Sequence, residues 1–102
     1  MFRIIKVAGD SLSPEYNDGD FVLIAKIPII LLKIHVGDIV VFEHPHYGQL
    51  IKKVDQISEH EDKIFVIGNH DNSVDSRRFG AISRKNILGK VIWHIKKPND
   101  EH

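Results

Sequence analysis

The stretch AGDSLSPEYNDGDFVLIA, residues 8 to 25, sets two kinds of local chemistry side by side. Gly9, Asp10, Ser11, Ser13, Pro14, Asn17, Asp18 and Gly19 are turn residues, because they supply unusual backbone angles or bond their own main chain. Phe21-Val22-Leu23-Ile24-Ala25 follows at once, an apolar run of strand length. Dense turns that launch short strands make β structure the expected unit. They also leave Ser11 on a tight bend, where a serine is either ordinary loop chemistry or a nucleophile held on a rigid turn.

The same alternation of run and turn continues through the chain. Phe2 to Val7, Ile39 to Phe42, Leu50 to Val54, Ile64 to Ile67 and Val91 to Ile95 are further strand candidates. Val36-Gly37-Asp38, His46-Tyr47-Gly48 and Gly68 to Ser73 read as turns between them. No segment carries a helical period. The expected fold is therefore mostly β, a single compact core of short strands. Gly19-Asp20 and Gly37-Asp38 both precede strands, which reflects turn chemistry rather than an internal repeat. A length of 102 residues suits one domain, expected over residues 1–96, with a flexible polar tail at 97–102.

Composition narrows the function classes. Fourteen basic against 14 acidic side chains give no electrostatic grip on nucleic acid, and the absence of cysteine removes thiol and Cys-zinc chemistry. His44 and His46 bracket Pro45 but lack a third ligand, so neither a metal nor another cofactor is expected. The apolar run Ile27 to Leu32 is interrupted by Pro28, flanked by Lys26 and Lys33, and far shorter than the ~20 residues that span a bilayer. No transmembrane segment or secretory signal is expected, and a cytoplasmic address is compatible. Exposed, Ile27 to Leu32 would give a membrane-surface contact with lysines at both ends; burial in the core is the plainer alternative.

A nucleophilic Ser11 needs a base. Seven histidines are available, and His70 beside Asp71 makes a Ser-His-Asp arrangement conceivable, although nothing in the spacing selects it. A lysine serves only if burial lowers its pKa from ~10.4. In Leu50-Ile51-Lys52-Lys53-Val54-Asp55, alternation puts Lys52 on one face with Leu50 and Val54, and Lys53 on the other with Ile51 and Asp55. Lys52 has the drier neighbours. The competing reading is an edge strand whose lysines block aggregation.

The order and wording of these segments resemble the signal peptidase I family, whose fold and Ser-Lys dyad are shared with LexA-type repressor proteases. GDSLSPEYNDGDFVLI resembles the nucleophile box, with Ser11, Leu12, Pro14, Gly19 and Asp20 in the family's places. GDIVVF and IKKV resemble the next two boxes, where the lysine after isoleucine is the general base, here Lys52. GNHDNSVDSRRFG followed by ILGKV resembles the last box. The resemblance covers residues 5 to 92 and implies a complex β fold of the LexA and signal peptidase type.

By the same resemblance, Ser11 and Lys52 are the catalytic pair, Ser73 bonds the lysine amine, and Asp75 and Arg77 support the site from behind. Leu12 and Pro14 are expected at the substrate. The implied function is a serine endopeptidase that cuts an extended pro- or signal-type segment through an acyl-enzyme, with small residues near the cleavage site. Two alternatives stand beside it, a non-catalytic peptide-binding module of the same fold and a LexA-like self-cleaving regulator. Leu12 replaces the usual methionine, a swap of similar volume. Gly9 stands where some relatives carry a serine that helps form the oxyanion hole, so the Ser11 N–H is left as the candidate donor. The family's Gly-Asp-Asn is reduced to Gly68-Asn69.

Overall fold

A computed structural model of the chain describes residues 1–26, 33–58, 60 and 62–98. The apolar stretch Ile27 to Leu32, weighed above for membrane contact or burial, and the tail from residue 99 onward lie outside the described residues. Among those described, seven strands form one antiparallel sheet: β1 (Phe2–Lys6), β2 (Phe21–Ala25), β3 (Ile39–His44), β4 (Gly48–Ile57), β5 (Lys63–Ile67), β6 (Ile82–Ser83) and β7 (Ile87–Ile95). Their order across the sheet is β1-β2-β7-β3-β4-β5-β6. One helical turn, α1 (Ser76–Phe79), precedes β6, and a 3₁₀ turn (Arg84–Asn86) follows it.

Two apolar clusters hold the sheet. Val40, Phe42, Val54, Ile64, Val66, Ile82 and Ile87 fill one with Ile34, while Ile5, Val7, Val22, Ile24 and Val41 fill the other. Successive β3 side chains point to opposite faces, so Val40 and Phe42 enter the first cluster and Val41 the second. This is why Ile39-Val40-Val41-Phe42 is apolar without alternation. Strands β1 and β2 are covered on one face only. Their outer positions, with those of β7, leave Phe2, Ile4, Phe21, Trp93 and Ile95 exposed.

Each expected strand is present, with longer bounds for β3, β4, β5 and β7, and β6 is an addition. The early part of β7 escapes sequence reading because Gly89 interrupts the apolar run. A Cβ there would come within 2.8 Å of the Ala25 carbonyl oxygen, so β2 approaches too closely for a side chain. Helix α1 also escapes, because four residues carry no period.

The two Gly-Asp turns share one construction. Gly19 and Gly37 have φ of 92° and 96°, which favours glycine. Asp20 and Asp38 each accept through the side chain from the main-chain N–H three residues earlier, Asn17 at 3.0 Å and His35 at 2.8 Å. Asp20 is almost fully buried and also accepts from the Lys97 N–H at 2.8 Å and pairs with His94 Nε2 at 2.8 Å. Lys97, expected in the flexible tail, is thus pinned to the nucleophile turn's far end.

The Asn17 and Lys97 N–H groups foremost hold the Asp20 carboxyl at about 2, against 3.8 for an unperturbed aspartate. Because the folded value is the lower one, the ionised carboxylate stabilises the fold fully above the unfolded value, and that contribution is lost as pH falls towards the folded value. Denaturation of wild type and Asp20→Asn across pH should show a stability gap that is constant near neutrality and closes between about 3.8 and about 2. A gap of equal size at both ends would mean that Asp20 acts by shape alone.

Candidate active site

The end of β1 and the middle of β4 face each other across a cavity of about 340 Å³. The run Ile5 to Ser11 lines one side, Gln49 to Lys52 the other, with Val41 and Asn72-Ser73-Val74 completing the walls. The cavity therefore gathers three of the residues singled out in the sequence, Ser11, Lys52 and Ser73. The chain leaves β1 through the Val7 N–H to Asp20 carbonyl bond of 2.7 Å and then turns at Ser11. Within that turn the Ser13 N–H donates to the Asp10 carbonyl at 2.9 Å and the Tyr16 N–H to the Leu12 carbonyl at 3.0 Å. The Ser11 N–H has no intramolecular acceptor among the described residues.

Lys52 is 3% exposed, and its register partner is Val40 of β3. Burial, the largest influence, lowers its pKa from 10.5; Asp75 and Asp10 pull it back up, and Arg77 adds to the lowering. Lys53 points the other way and pairs with Glu15 on the surface at 3.3 Å. Alternation in IKKV thus separates the two lysines as expected. The lysine amine of Lys52 makes no hydrogen bond or ion pair among the described residues. Neither does the Ser11 hydroxyl, so no direct bond joins them here. The Ser73 hydroxyl is buried on the same cavity wall, without a partner among the described residues.

Behind this wall, Asp75 is fully buried. Burial would raise its pKa, but bonds from the Arg77 side chain, the Gly68 N–H and the Arg77 N–H outweigh that and hold it low. The Arg77 guanidinium forks onto both carboxylate oxygens, with contacts of 2.7 to 3.2 Å, and also donates to the His70 carbonyl at 2.6 Å. Asp75 simultaneously caps α1 by accepting from the Arg77 N–H at 3.0 Å. Gly68 passes so close to the nucleophile turn that a Cβ would lie 2.7 Å from Ser73 Cβ and 2.9 Å from the Ser11 carbonyl oxygen. A glycine is required there for packing.

Leu12 is 1% exposed and anchors the turn in the core, Pro14 is exposed, and both lie outside the cavity lining. The Ser-His-Asp arrangement does not form: His70 Nε2 meets the Ser13 hydroxyl at 2.8 Å, and Asp71 lies near Arg77 at 3.8 Å. The His44 and His46 rings lie 5.9 Å apart at a tilt of 44°, and no cluster of metal-ligating side chains occurs among the described residues.

Asn69 was visible in the sequence only as a departure from a motif. Its side-chain amide donates to the Leu12 carbonyl at 2.9 Å, the Ser13 carbonyl at 3.2 Å and Glu15 Oε1 at 3.2 Å. Its main-chain N–H donates to the Ser11 carbonyl. Isolated Asn residues in loops carry no spacing signal, which is why sequence reading missed this clamp.

One antiparallel sheet thus carries a cavity lined by both a serine turn and a buried lysine. Residues 2–92 match the Peptidase S24-like family, and the chain belongs to that family of peptidase-related proteins. Signal peptidase I of Buchnera aphidicola subsp. Baizongia pistaciae (strain Bp) is 53% identical over 32 residues, which is 30% of this chain and 10% of that protein. The chain therefore spans a small part of that relative. No helix among the described residues is long and apolar enough to cross a membrane.

Proposed function

We propose that the chain is a serine endopeptidase with Ser11 as nucleophile and Lys52 as general base. The observation that carries this reading is a buried lysine sharing one cavity with the Ser11 turn and the Ser73 hydroxyl, where among the described residues the lysine has no ion pair, the Ser11 N–H no acceptor and the Ser73 hydroxyl no partner. Neutral Lys52 takes the Ser11 proton as Oγ attacks the scissile carbonyl, and the Ser11 N–H stabilises the oxyanion. The C–N bond then breaks, the lysine proton goes to the leaving amine, and an ester is left on Ser11. Water activated by Lys52 hydrolyses it. Ser73 accepts from or donates to the amine and holds it in place between steps. Apo hydrogen bonds of such pairs are commonly long and tighten with substrate.

β1 is an edge strand among the described residues, and an extended pro- or signal-type segment with small side chains near the cut would pair along such an edge. Quenched fluorescent peptides with alanine around the cut, followed by acid trapping and peptide mapping, test the reading. Cleavage with an acyl adduct on Ser11 is expected. Peptide binding with neither cleavage nor adduct would make the protein a binding module, and cutting confined to its own chain would make it a self-cleaving regulator.

A further inference from the structure

We infer that Asn69 is a positioning residue that aims the oxyanion donor, the Ser11 N–H, through two peptide planes. The inference rests on the peptidase reading above. In a trans peptide the C=O and N–H point in opposite directions, so fixing one aims the other. The Asn69 amide holds the Leu12 carbonyl, which turns the Ser13 N–H the other way. That N–H donates to the Asp10 carbonyl at 2.9 Å. Holding the Asp10 carbonyl in turn directs the Ser11 N–H away from the turn's interior, where it finds no acceptor among the described residues. The Asn69 main-chain N–H fixes the intervening peptide by its bond to the Ser11 carbonyl.

One residue thus engages three successive carbonyls, of Ser11, Leu12 and Ser13, in the turn that carries the nucleophile. Two amide hydrogens serve three acceptors, so the Ser13 carbonyl and Glu15 Oε1, both at 3.2 Å, share one of them. The demand on this aim is high because Gly9 has no side chain to contribute a second donor, and its own N–H is taken by Asp18 at 2.8 Å. The Gly68-Asn69 loop is then a clamp of the chain's own design.

Asn69→Asp and Asn69→Ala remove the donors, the second without adding a charge beside the carbonyls; Glu15→Gln is the control. An oxyanion donor acts only in the transition state, so a misaimed one lowers kcat by about 10- to 100-fold while KM stays within about twofold. In Asn69→Ala, which adds no charge, the midpoint of the kcat–pH profile stays at the wild-type value. Amide exchange at Ser13 accelerates in both variants and not in Glu15→Gln. Unchanged kcat in folded variants, a midpoint of Asn69→Ala that moves with kcat, or unaltered Ser13 exchange each overturns the inference. A wild-type protein that cleaves no peptide overturns the peptidase reading, and the exchange measurement still decides whether Asn69 aims these planes.

Discussion

Replacing Ser11 or Lys52 by alanine lowers peptide cleavage by about 10³-fold or more, and the double replacement is no worse than either single one. Non-additivity follows because each residue is useless without the other: the hydroxyl is inert until its proton leaves, and the amine has no other proton to take. Lys53→Ala keeps most of the activity, since its side chain lies on the far face with Glu15. If Lys53 proved essential and Lys52 dispensable, the cavity would be the wrong site. The pH profile supplies the sign. Only the neutral amine is a base, so kcat rises with pH, and burial puts the midpoint below 10.5. A rise centred near ~6.5 that disappears with one histidine would point to imidazole instead. Burial of Lys52 also opposes folding wherever lysine is charged in the unfolded chain. Lys52→Met therefore stabilises the protein at neutral pH as it inactivates it, with a gain that fades as pH approaches the unfolded lysine value.

What was legible in the sequence was whatever acts through period or turn chemistry. Val22 and Ile24 alternate with exposed Phe21 as a half-buried strand must, and the parity that sent Lys52 inward and Lys53 outward is the same rule. The Gly19 and Gly37 turns were readable because few residues tolerate their backbone angles. What escaped depends on contacts between distant segments. Leu12 was placed only by the motif it fills, and its burial in the core follows from how the turn folds. His70 looked like a triad member beside Asp71, but loop geometry gives its ring to Ser13. Asn69 and Gly68 acquire their meaning only when the loop after β5 is laid against the turn after β1, a separation of more than 50 residues that no local pattern encodes.

Asp75→Ala costs the fold about 2–4 kcal/mol, as the sum of a lost helix cap and a buried Gly68 N–H left without its acceptor. The carboxylate is the hub: Gly68, the Arg77 main chain and the Arg77 guanidinium all donate to it, and no other described side chain can take those bonds. Asp75→Asn recovers the cap, since asparagine caps as well as aspartate, but turns an amide donor towards other donors, so it recovers only part of the loss. Arg77→Lys does not restore the pair's geometry after Arg77→Ala, because a point charge cannot reproduce the fork. Denaturation curves give these costs, and pH adds a check. The Asp75 pKa is held low in the fold, so its contribution is present above the unfolded carboxyl value and fades as acid titrates the folded group. The same variant speaks to the site. Asp75 raises the pKa of Lys52 and Arg77 lowers it, so removing the carboxylate shifts the kcat–pH midpoint to lower pH even as stability falls. A destabilised Asp75→Asn with an unmoved midpoint would show that the pair supports the wall without tuning the base.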